Sequence, residues 1–403
     1  MSRNCILMVA GERSGDVYGA ALAEALRARI PSAQMFGCAG EAMRAAGVET
    51  IADIREVALI GISEVVSGLP RAWRAVQNLV NEAAKRKPRL AILIDSPSLN
   101  LHLAKHLKRR NIPVIYFVSP QIWAWKRWRI RKIKAYVDKM LCLFDFETEI
   151  YEKAGVPVEW VGHPLVDMPD PTMTREEFFR RIALDPNSPT VALLPGSRRT
   201  EVHFNLPAML EAAALVGQSR SVQFVLASAP TIDSQWLESL AAQGYSGKAP
   251  LRTLSNTTHE ALEYAEAAVV ASGTATIEAA LLECPMIVVY RVSQFTAACA
   301  RSMIDVPFYS MVNLLAGHAA VPELIQNDFT AANLASRLEL LLDDNGARSR
   351  MIEDLRKVRA RLGPGGAIGR AADAVGRFMK ENKASSMPTK ASSEEGTLLS
   401  GPP

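Results

Sequence analysis

Short apolar and β-branched runs alternate with longer segments of helical periodicity along the first 166 residues. A run of four to six apolar residues between polar or glycine positions is typical of a strand buried on both faces of a parallel sheet. Because these strands alternate with helices, the pattern predicts a doubly wound α/β sheet. The predicted strands are Asn4–Val9, Gln34–Cys38, Leu90–Ile94, Pro113–Val118, Lys139–Leu143 and Val158–Val161.

The alternation breaks off at residues 167–189, which are rich in Pro, Asp and Thr, and then it restarts. The second series predicts another parallel sheet, and the chain is helical from Asn333 to Lys380. We expect a domain over residues 1–166, a second Rossmann-like domain over 167–343, helices over 344–380 that pack back across a cleft, and a disordered tail over 381–403. Ligands of parallel sheets lie at the carboxyl ends of the strands, so we expect the two sheets to face a central cleft. The strands of the second series are Thr190–Leu194, Val222–Ala227, Leu251–Leu254, Ala268–Ala271 and Pro285–Tyr290.

Composition agrees with two cored domains. The 403 residues are 49% apolar, which is too apolar for a disordered chain, and the net charge of +4 indicates only a mild preference for anionic partners. The five cysteines lie mostly in apolar runs and predict buried thiols of a reducing compartment. Because no apolar run reaches the ~18 residues of a membrane span, we expect a cytoplasmic or peripheral protein.

The strand Thr190–Leu194 leads directly into a turn of sequence Pro-Gly-Ser-Arg-Arg at residues 195–199. Gly196 allows a close backbone approach, while Ser197 and Arg198 offer hydrogen-bond donors at a predicted helix N-terminus, where anions are favoured. The turn therefore predicts a phosphate site. The alternative is an ordinary strand-to-helix turn with solvated arginines.

A second turn of small residues, Ser272-Gly273-Thr274, follows another strand, and Glu278 lies one helical turn further on. The N–H groups of such a turn can reach an anion, and a carboxylate can accept both vicinal hydroxyls of a ribose. An exposed glutamate stabilised by the helix dipole is the alternative for Glu278 alone. Together the two turns predict a nucleoside diphosphate site.

The first strand ends in a glycine loop, Gly11-Glu-Arg-Ser-Gly-Asp16. It lacks the Lys-Ser/Thr of a P-loop and the spacing of a dinucleotide site, so neither NTP hydrolysis nor hydride transfer is indicated. A tight turn with Asp16 as a helix cap is an alternative to a ligand-binding loop.

Asp95 follows the strand Leu90–Ile94, at the carboxyl end where ligands bind. A carboxylate there can accept a proton from a hydroxyl nucleophile that comes within hydrogen-bond reach. Helix capping explains the same position equally well.

Residues 119–134 combine tryptophans with a basic run that begins at Lys126. The mixture suits stacking and phosphate pairing with RNA or single-stranded DNA, and it equally suits an anionic membrane surface. Tryptophans packed at the edge of the sheet beside a solvated basic helix are the simpler alternative.

Residues 65–80 form a basic amphipathic segment that carries Val66, Leu69 and Trp73. Such a segment can enter a lipid interface. A crossover helix that faces the core has the same spacing.

Seven motifs, taken in order, resemble those of the lipid-A-disaccharide synthase family over residues 4–375. They are Ala10-Gly-Glu-x-Ser-Gly-Asp16, Ile94-Asp-x-Pro-x-x-Asn100, Val118-Ser-Pro-x-x-Trp-Ala-Trp125, Gly162-His163-Pro164, Leu194-Pro-Gly-Ser-Arg198, Ser272-Gly-Thr-x-x-x-Glu278 and Asn313-Leu-Leu-Ala-Gly317.

The resemblance implies a GT-B glycosyltransferase of Gram-negative lipid A biosynthesis. Such an enzyme joins UDP-2,3-diacylglucosamine to 2,3-diacylglucosamine 1-phosphate (lipid X), forms a β-1,6 disaccharide with inversion and releases UDP. By resemblance Asp95 is the general base, Glu12 and Asp16 are reserves, and Asn313 lies in the active site. No Asp-x-Asp metal pair occurs in the sequence, so Arg198 and the helix N-termini are expected to stabilise the departing UDP without a metal or cofactor.

The acylated substrates imply a protein at the cytoplasmic surface of the inner membrane, with no nucleic acid partner, and leave a homo-oligomer open. We assign the UDP to the two turns, through Gly196, Ser197, Arg198, Ser272, Gly273, Thr274 and Glu278. We assign the acceptor and its lipid to Gly11, Ser14, Gly15, Ser119, Trp123, Trp125, Val66, Leu69 and Trp73.

Leu99 departs from the family, which often has an aromatic residue there, and so does the polar tail after Glu381. The alternatives are another GT-B enzyme, such as a UDP-sugar epimerase or a transferase with a different acceptor, and a nucleic-acid-binding module.

Overall fold

The computed structural model describes residues 4–57, 69–123, 128–167, 171, 173–255, 257–294 and 307–385. Over these residues the chain folds into two β-sheets with helices between the strands. It divides into two compact units, one of Met1–Phe117, Tyr136–Lys139 and Ile368–Pro403, the other of Val118–Ala135 and Met140–Ala367.

The first sheet has the strand order β3-β2-β1-β4-β5-β6-β7, and every pair whose register is resolved is parallel. Its central strands are apolar and buried along their whole length, as expected of strands covered on both faces. The strands are β1 (Cys5–Ala10), β2 (Gln34–Ala39), β3 (Glu49–Asp53), β4 (Leu90–Ile94), β5 (Val114–Phe117), β6 (Lys139–Cys142) and β7 (Val158–Trp160).

The second sheet has the order β10-β9-β8-β11-β12-β13 and is parallel throughout. Its strands are β8 (Thr190–Leu194), β9 (Gln223–Ser228), β10 (Leu251–Ser255), β11 (Ala267–Ala271), β12 (Met286–Tyr290) and β13 (Glu323–Ile325). Each strand predicted from the sequence is present within a residue or two of its expected ends. The edge strands β3 and β13 are additional.

Helices connect the strands of both sheets. Those associated with the first sheet are α1 (Arg13–Arg29), α2 (Glu41–Ala45), α3 (Ile54–Val57), α4 (Leu69–Arg86), α5 (Pro97–Lys108), α6 (Arg129–Tyr136) and α7 (Phe146–Lys153). Those that follow are α8 (Arg175–Ile182), α9 (Arg199–Ser219), α10 (Ser234–Gly244), α11 (Thr258–Glu263), α12 (Thr274–Leu281), α13 (Met311–Ala316), α14 (Ala331–Asp343), α15 (Asn345–Arg361) and α16 (Ala367–Ser385).

The C-terminal helix α16 packs on the first unit. Asp373 pairs with Arg29 at 2.6 Å, and the Met379 carbonyl accepts a hydrogen bond from Arg89 at 2.9 Å. The helix continues to Ser385, five residues past its predicted end at Lys380, and residues 386–403 lie outside the described residues.

Both sheets reverse their strand order once. In the first sheet the reversal lies between β1 and β4, and in the second between β8 and β11. Ligands of doubly wound sheets bind beyond the carboxyl ends of the strands at such a switch point. The loops after Ala10, Ile94, Leu194 and Ala271 therefore lie where the topology favours ligand binding.

Candidate active site

The loops after β1 and β4 lie in direct contact. A Cβ atom added to Gly11 would lie 2.3 Å from Ser96 Oγ and 3.1 Å from Leu99 Cδ2. The glycine loop can therefore lie against the turn that carries Asp95 only because position 11 has no side chain.

Asp95 and Ser96 both adopt left-handed backbone conformations, with φ of +50° and +43°. Each such residue costs about 1–3 kcal/mol and persists only where its surroundings hold it, as is common at active sites. Here the Asp95 carbonyl accepts hydrogen bonds from the Tyr116 hydroxyl and, at 2.8 Å, from Asn100 Nδ2. The Asp95 side chain is half-buried. The strained turn supports the assignment of Asp95 to chemistry rather than to capping alone.

A third strained residue follows the neighbouring strand. Val118, directly after β5, has φ of +67°, which is a marked outlier for a β-branched residue. Three of the eight described non-glycine residues with positive φ thus lie at the carboxyl ends of β4 and β5.

Asp16 is buried, and its carboxylate accepts three backbone hydrogen bonds, from the N–H groups of Gly40 (2.7 Å), Ala42 (3.0 Å) and Met43 (3.1 Å). These donors form the N-terminus of α2, where a negative charge is stabilising. Asp16 therefore caps a helix other than its own, and these contacts favour a positioning role over that of a reserve base. Glu12, the other reserve, immediately precedes α1 and is half-buried.

Ser119 and Trp123 contact a carboxylate that the sequence did not single out. Glu147, buried near the start of α7, accepts the Trp123 indole N–H at 3.2 Å and the Phe144 backbone N–H at 3.3 Å. The Ser119 hydroxyl and the Leu143 backbone also favour the ionised form of this carboxyl group and so lower its pKa. Burial outweighs these neutral donors and raises the pKa of Glu147 to about 7.

The carboxylate of Glu201 occupies the donors of the Pro195–Arg198 turn. The Glu201 carboxylate accepts the backbone N–H groups of Ser197 (2.9 Å) and Arg198 (3.3 Å) and a guanidinium N–H of Arg198 (2.8 Å). This is the reach-back of an N3 glutamate in a capping box, so the spacing of residues 198 and 201 could have predicted it. Gly196 has φ of +128°, and a Cβ there would lie 2.6 Å from Glu201 Cβ, so the turn requires glycine.

Arg198 remains partly accessible, with its side chain 48% exposed. Arg199 instead lies over the Trp236 ring, 5.0 Å from its centroid. Of the two arginines, Arg198 is therefore the one fixed within the turn.

Glu278 is half-buried and, within the described residues, its carboxylate has no hydrogen-bond partner. Burial alone raises its pKa. A desolvated acceptor without donors is costly unless a ligand supplies them. Gly273, at the start of the same helix, has open space where a Cβ would stand. Thr274 is exposed beside it.

The Ser272 hydroxyl donates to the Tyr309 carbonyl at 3.2 Å, which joins this turn to the segment before α13. Asn313 is buried there, and its amide is fully used: Nδ2 donates to the Val321 carbonyl and to Glu323, and Oδ1 accepts the Val321 N–H. These contacts favour a scaffolding role for Asn313, although its assignment to the active site stays a prediction.

The amphipathic helix α4 has a buried apolar face and an exposed tryptophan. Val76, Leu79 and Val80 are buried, as in a core-facing crossover helix, whereas Trp73 is 61% exposed. Val66 and Trp125 lie outside the described residues, as does the side chain of Leu69, the first residue of α4.

Three further properties concern metal ligands, membrane-crossing helices and cysteines. Across the described part of the chain, no three His, Cys, Asp or Glu side chains are grouped as metal ligands. No described helix is long and apolar enough to cross a membrane. Cys5, Cys38, Cys142 and Cys284 are buried thiols, and Cys299 lies outside the described residues.

Comparison with known proteins identifies the family. A family model described as lipid-A-disaccharide synthetase matches residues 6–365. The lipid-A-disaccharide synthase of Acidobacterium capsulatum is 46% identical, over 90% of this chain and 92% of its own. That of Myxococcus xanthus is 45% identical, over 92% and 96%.

The crystal structure of Acinetobacter baumannii MurG superposes with a TM-score of 0.56 at 13% identity, covering 93% of this chain and 99% of that one. At this identity the likeness shows the fold alone. It confirms the predicted GT-B fold.

Members of this family act on a UDP-sugar donor and a glycosyl acceptor, and the epimerase alternative is not favoured. The chain therefore belongs to the lipid-A-disaccharide synthase family and is a glycosyltransferase that forms the lipid A disaccharide.

Proposed function

We propose that this chain joins UDP-2,3-diacylglucosamine to 2,3-diacylglucosamine 1-phosphate by one direct displacement. Asp95 accepts the proton of the acceptor C6 hydroxyl, and that oxygen forms a bond to the donor anomeric carbon. The bond from this carbon to the UDP oxygen breaks, and UDP leaves with the electron pair. One displacement inverts the anomeric centre and requires one base.

The observation that carries this proposal is the turn at Asp95. Asp95 and Ser96, two consecutive residues with left-handed backbone conformations, lie at the switch point of the first sheet. Tyr116 and Asn100 donate hydrogen bonds to the Asp95 carbonyl. Strained residues cluster at functional sites, and here the strain orients a carboxylate toward a substrate hydroxyl.

The UDP is assigned to the switch point of the second sheet. The carboxylate of Glu278, which has no hydrogen-bond partner among the described residues, is suited to accept both ribose hydroxyls. The open space beside Gly273 and Thr274 admits the diphosphate to the N-terminus of α12. Arg198, oriented by Glu201, supplies positive charge to the departing UDP.

The acceptor and its acyl chains are assigned to the first sheet and to α4. Trp73 is exposed between the exposed Arg71 and Arg74, a combination suited to an anionic lipid surface such as the cytoplasmic face of the inner membrane. Binding to phosphatidylglycerol vesicles at low salt, weakened by added salt and by Trp73→Ala, tests this part. Leu340→Ala, at an exposed apolar residue of α14, is the control. Absence of vesicle binding at low salt contradicts the membrane assignment.

Release of UDP in the presence and absence of the acceptor tests the reaction itself. We expect wild-type turnover to require the acceptor. Asp95→Asn should reduce it about 10²–10⁴-fold, the usual contribution of a general base. Asparagine tolerates the left-handed conformation well, so the thermal midpoint should not fall. Glu24→Gln, an exposed carboxylate of α1, should leave turnover unchanged. Near wild-type turnover in Asp95→Asn would rule out this base.

A further inference from the structure

Glu147 is a buried carboxylate that the proposed mechanism does not use. It is 1% exposed, and its oxygens accept hydrogen bonds from the Trp123 indole N–H at 3.2 Å and the Phe144 backbone N–H at 3.3 Å, while the Ser119 hydroxyl and the Leu143 backbone also stabilise its ionised form. All four groups are neutral. No ion pair is among these contacts.

The hydroxyl groups behind Glu147 can accommodate either of its protonation states. Ser119 Oγ lies 2.8 Å from the Tyr151 hydroxyl oxygen and 3.2 Å from the Pro120 carbonyl. When Glu147 is ionised, Ser119 donates to it and accepts the Tyr151 proton. When Glu147 is protonated, it donates to Ser119 Oγ, and the Ser119 proton turns to the Pro120 carbonyl. One proton is taken up, and each of these groups keeps a partner.

Trp123 is the partner that responds to this change. Its ring packs edge-on against Phe146 at 5.4 Å, and Phe146 stacks on Phe144 at 5.7 Å. The indole N–H is its polar anchor. A hydrogen bond to a carboxylate is roughly twice as strong as one to a neutral carboxyl group. Trp123 is therefore held most firmly when Glu147 is ionised.

The titratable groups that face Glu147 are the Cys142 thiol on β6 and the Tyr151 phenol on α7. Burial raises the pKa of both, so both are neutral near pH 7. Neither competes with Glu147 for a proton in that range. Residues 124–127, which include Lys126 and Arg127, lie outside the described residues.

We propose that Glu147 is a positioning residue for acceptor binding, which fixes the Trp123 indole when ionised and loosens it when protonated. This rests on the proposed assignment of Ser119 and Trp123 to the acceptor. Donor binding should not depend on Glu147.

Acceptor and donor KM are measured from pH 5.5 to 8.5 in the wild type, Glu147→Gln and Glu149→Gln. We expect the wild-type acceptor KM to rise about three- to tenfold below pH 7 and the donor KM to stay level. This rise is the pH step in the acceptor KM, and Glu147→Gln should lose it. Glu149→Gln, an exposed neighbour paired with Lys153, should keep it. A step that persists unchanged in Glu147→Gln belongs to the acceptor phosphate and overturns the inference.

The Trp123 indole N–H resonance, assigned with Trp123→Phe, gives a second readout without substrate. It should titrate near pH 7 in the wild type and not in Glu147→Gln. A resonance that does not titrate overturns the inference even if one variant folds poorly. If the resonance titrates without any Glu147-dependent acceptor step, Glu147 does not position the acceptor. Failure of the proposed reaction would instead appear as missing wild-type turnover at every pH.

Discussion

Glu201 Oε1 lies 2.8 Å from Arg198 Nη1, so the one arginine fixed in the Pro195–Arg198 turn is held by a carboxylate three residues further along α9. The same carboxylate accepts the backbone N–H groups of Ser197 and Arg198. These N–H groups are therefore not free for a phosphate. What the turn offers to the UDP is the positive charge of Arg198, whose side chain is 48% exposed.

Arg198→Lys should reduce turnover about 10²-fold, because an ammonium cannot pair with Glu201 and present a second planar donor to the diphosphate. Glu201→Gln keeps the shape of the side chain and loses its charge. We expect it to raise the donor KM several-fold with little change in the acceptor KM. Steady-state kinetics with each substrate varied in turn decides this. Wild-type kinetics in Arg198→Lys would remove Arg198 from the leaving-group role.

Gly196→Ala and Gly273→Ala should separate folding from ligand binding. At Gly196 a methyl group meets Glu201 Cβ at 2.6 Å in a conformation that favours glycine, so we expect lower thermal stability together with weaker UDP binding. At Gly273 the methyl group enters open space. Stability should hold there, while UDP affinity falls. Thermal melts with and without UDP test both variants, and full UDP affinity in Gly273→Ala would place the diphosphate elsewhere.

Glu278→Gln should weaken UDP binding about tenfold, since an amide replaces one acceptor oxygen with a donor. Ribose hydroxyls that donate to the carboxylate favour its ionised form, so wild-type UDP affinity should increase as the pH rises through the raised pKa of Glu278. The variant should lose this dependence. Calorimetric titration with UDP at several pH values measures it, with the exposed Glu238→Gln as control.

The pH dependence of folding gives a separate check on Glu278. Because its pKa is raised in the folded protein, the folded state binds more protons, and stability should fall as the pH rises above 4.5. Glu278→Gln should flatten this fall. A steeper fall in the variant would contradict the assignment of an unpartnered carboxylate.

The strands could be predicted because their apolar runs are long and buried, as in Leu90–Ile94 and Thr190–Leu194. The strands Glu49–Asp53 and Glu323–Ile325 could not, because they are only partly buried and acidic residues interrupt their apolar runs.

Some site residues have partners close by in the sequence, and others have partners far along the chain. The turn at Pro195–Arg198 could be recognised from adjacent residues. The partners of Asp16 lie 24 to 27 residues further along the chain, and Glu147 meets Trp123 across 24 residues. No spacing rule connects such positions, because the sheet alone brings them together.

Glu147 and His163 should have opposite effects on the pH dependence of stability. Both are buried: burial raises the pKa of Glu147 to about 7 and lowers that of His163 to about 4. The folded state holds an extra proton on Glu147 between pH 4.5 and 7, so stability falls with pH there. It lacks a proton on His163 between pH 4 and 6.5, so stability rises with pH there. Each effect amounts to about 3 kcal/mol, and the two slopes cancel between pH 4.5 and 6.5.

A variant that lacks one of the two groups should therefore show the dependence of stability on pH that comes from the other. Glu147→Gln leaves the His163 effect, and stability should rise from pH 4 to 6.5. His163→Asn keeps an acceptor for the Leu165 N–H, which the His163 Nδ1 accepts at 3.2 Å, and stability should fall from pH 4.5 to 7. Urea unfolding at each pH measures both, with the exposed His203→Asn as control. Two variants with parallel pH profiles would show that these groups do not titrate with the opposite shifts that their burial implies.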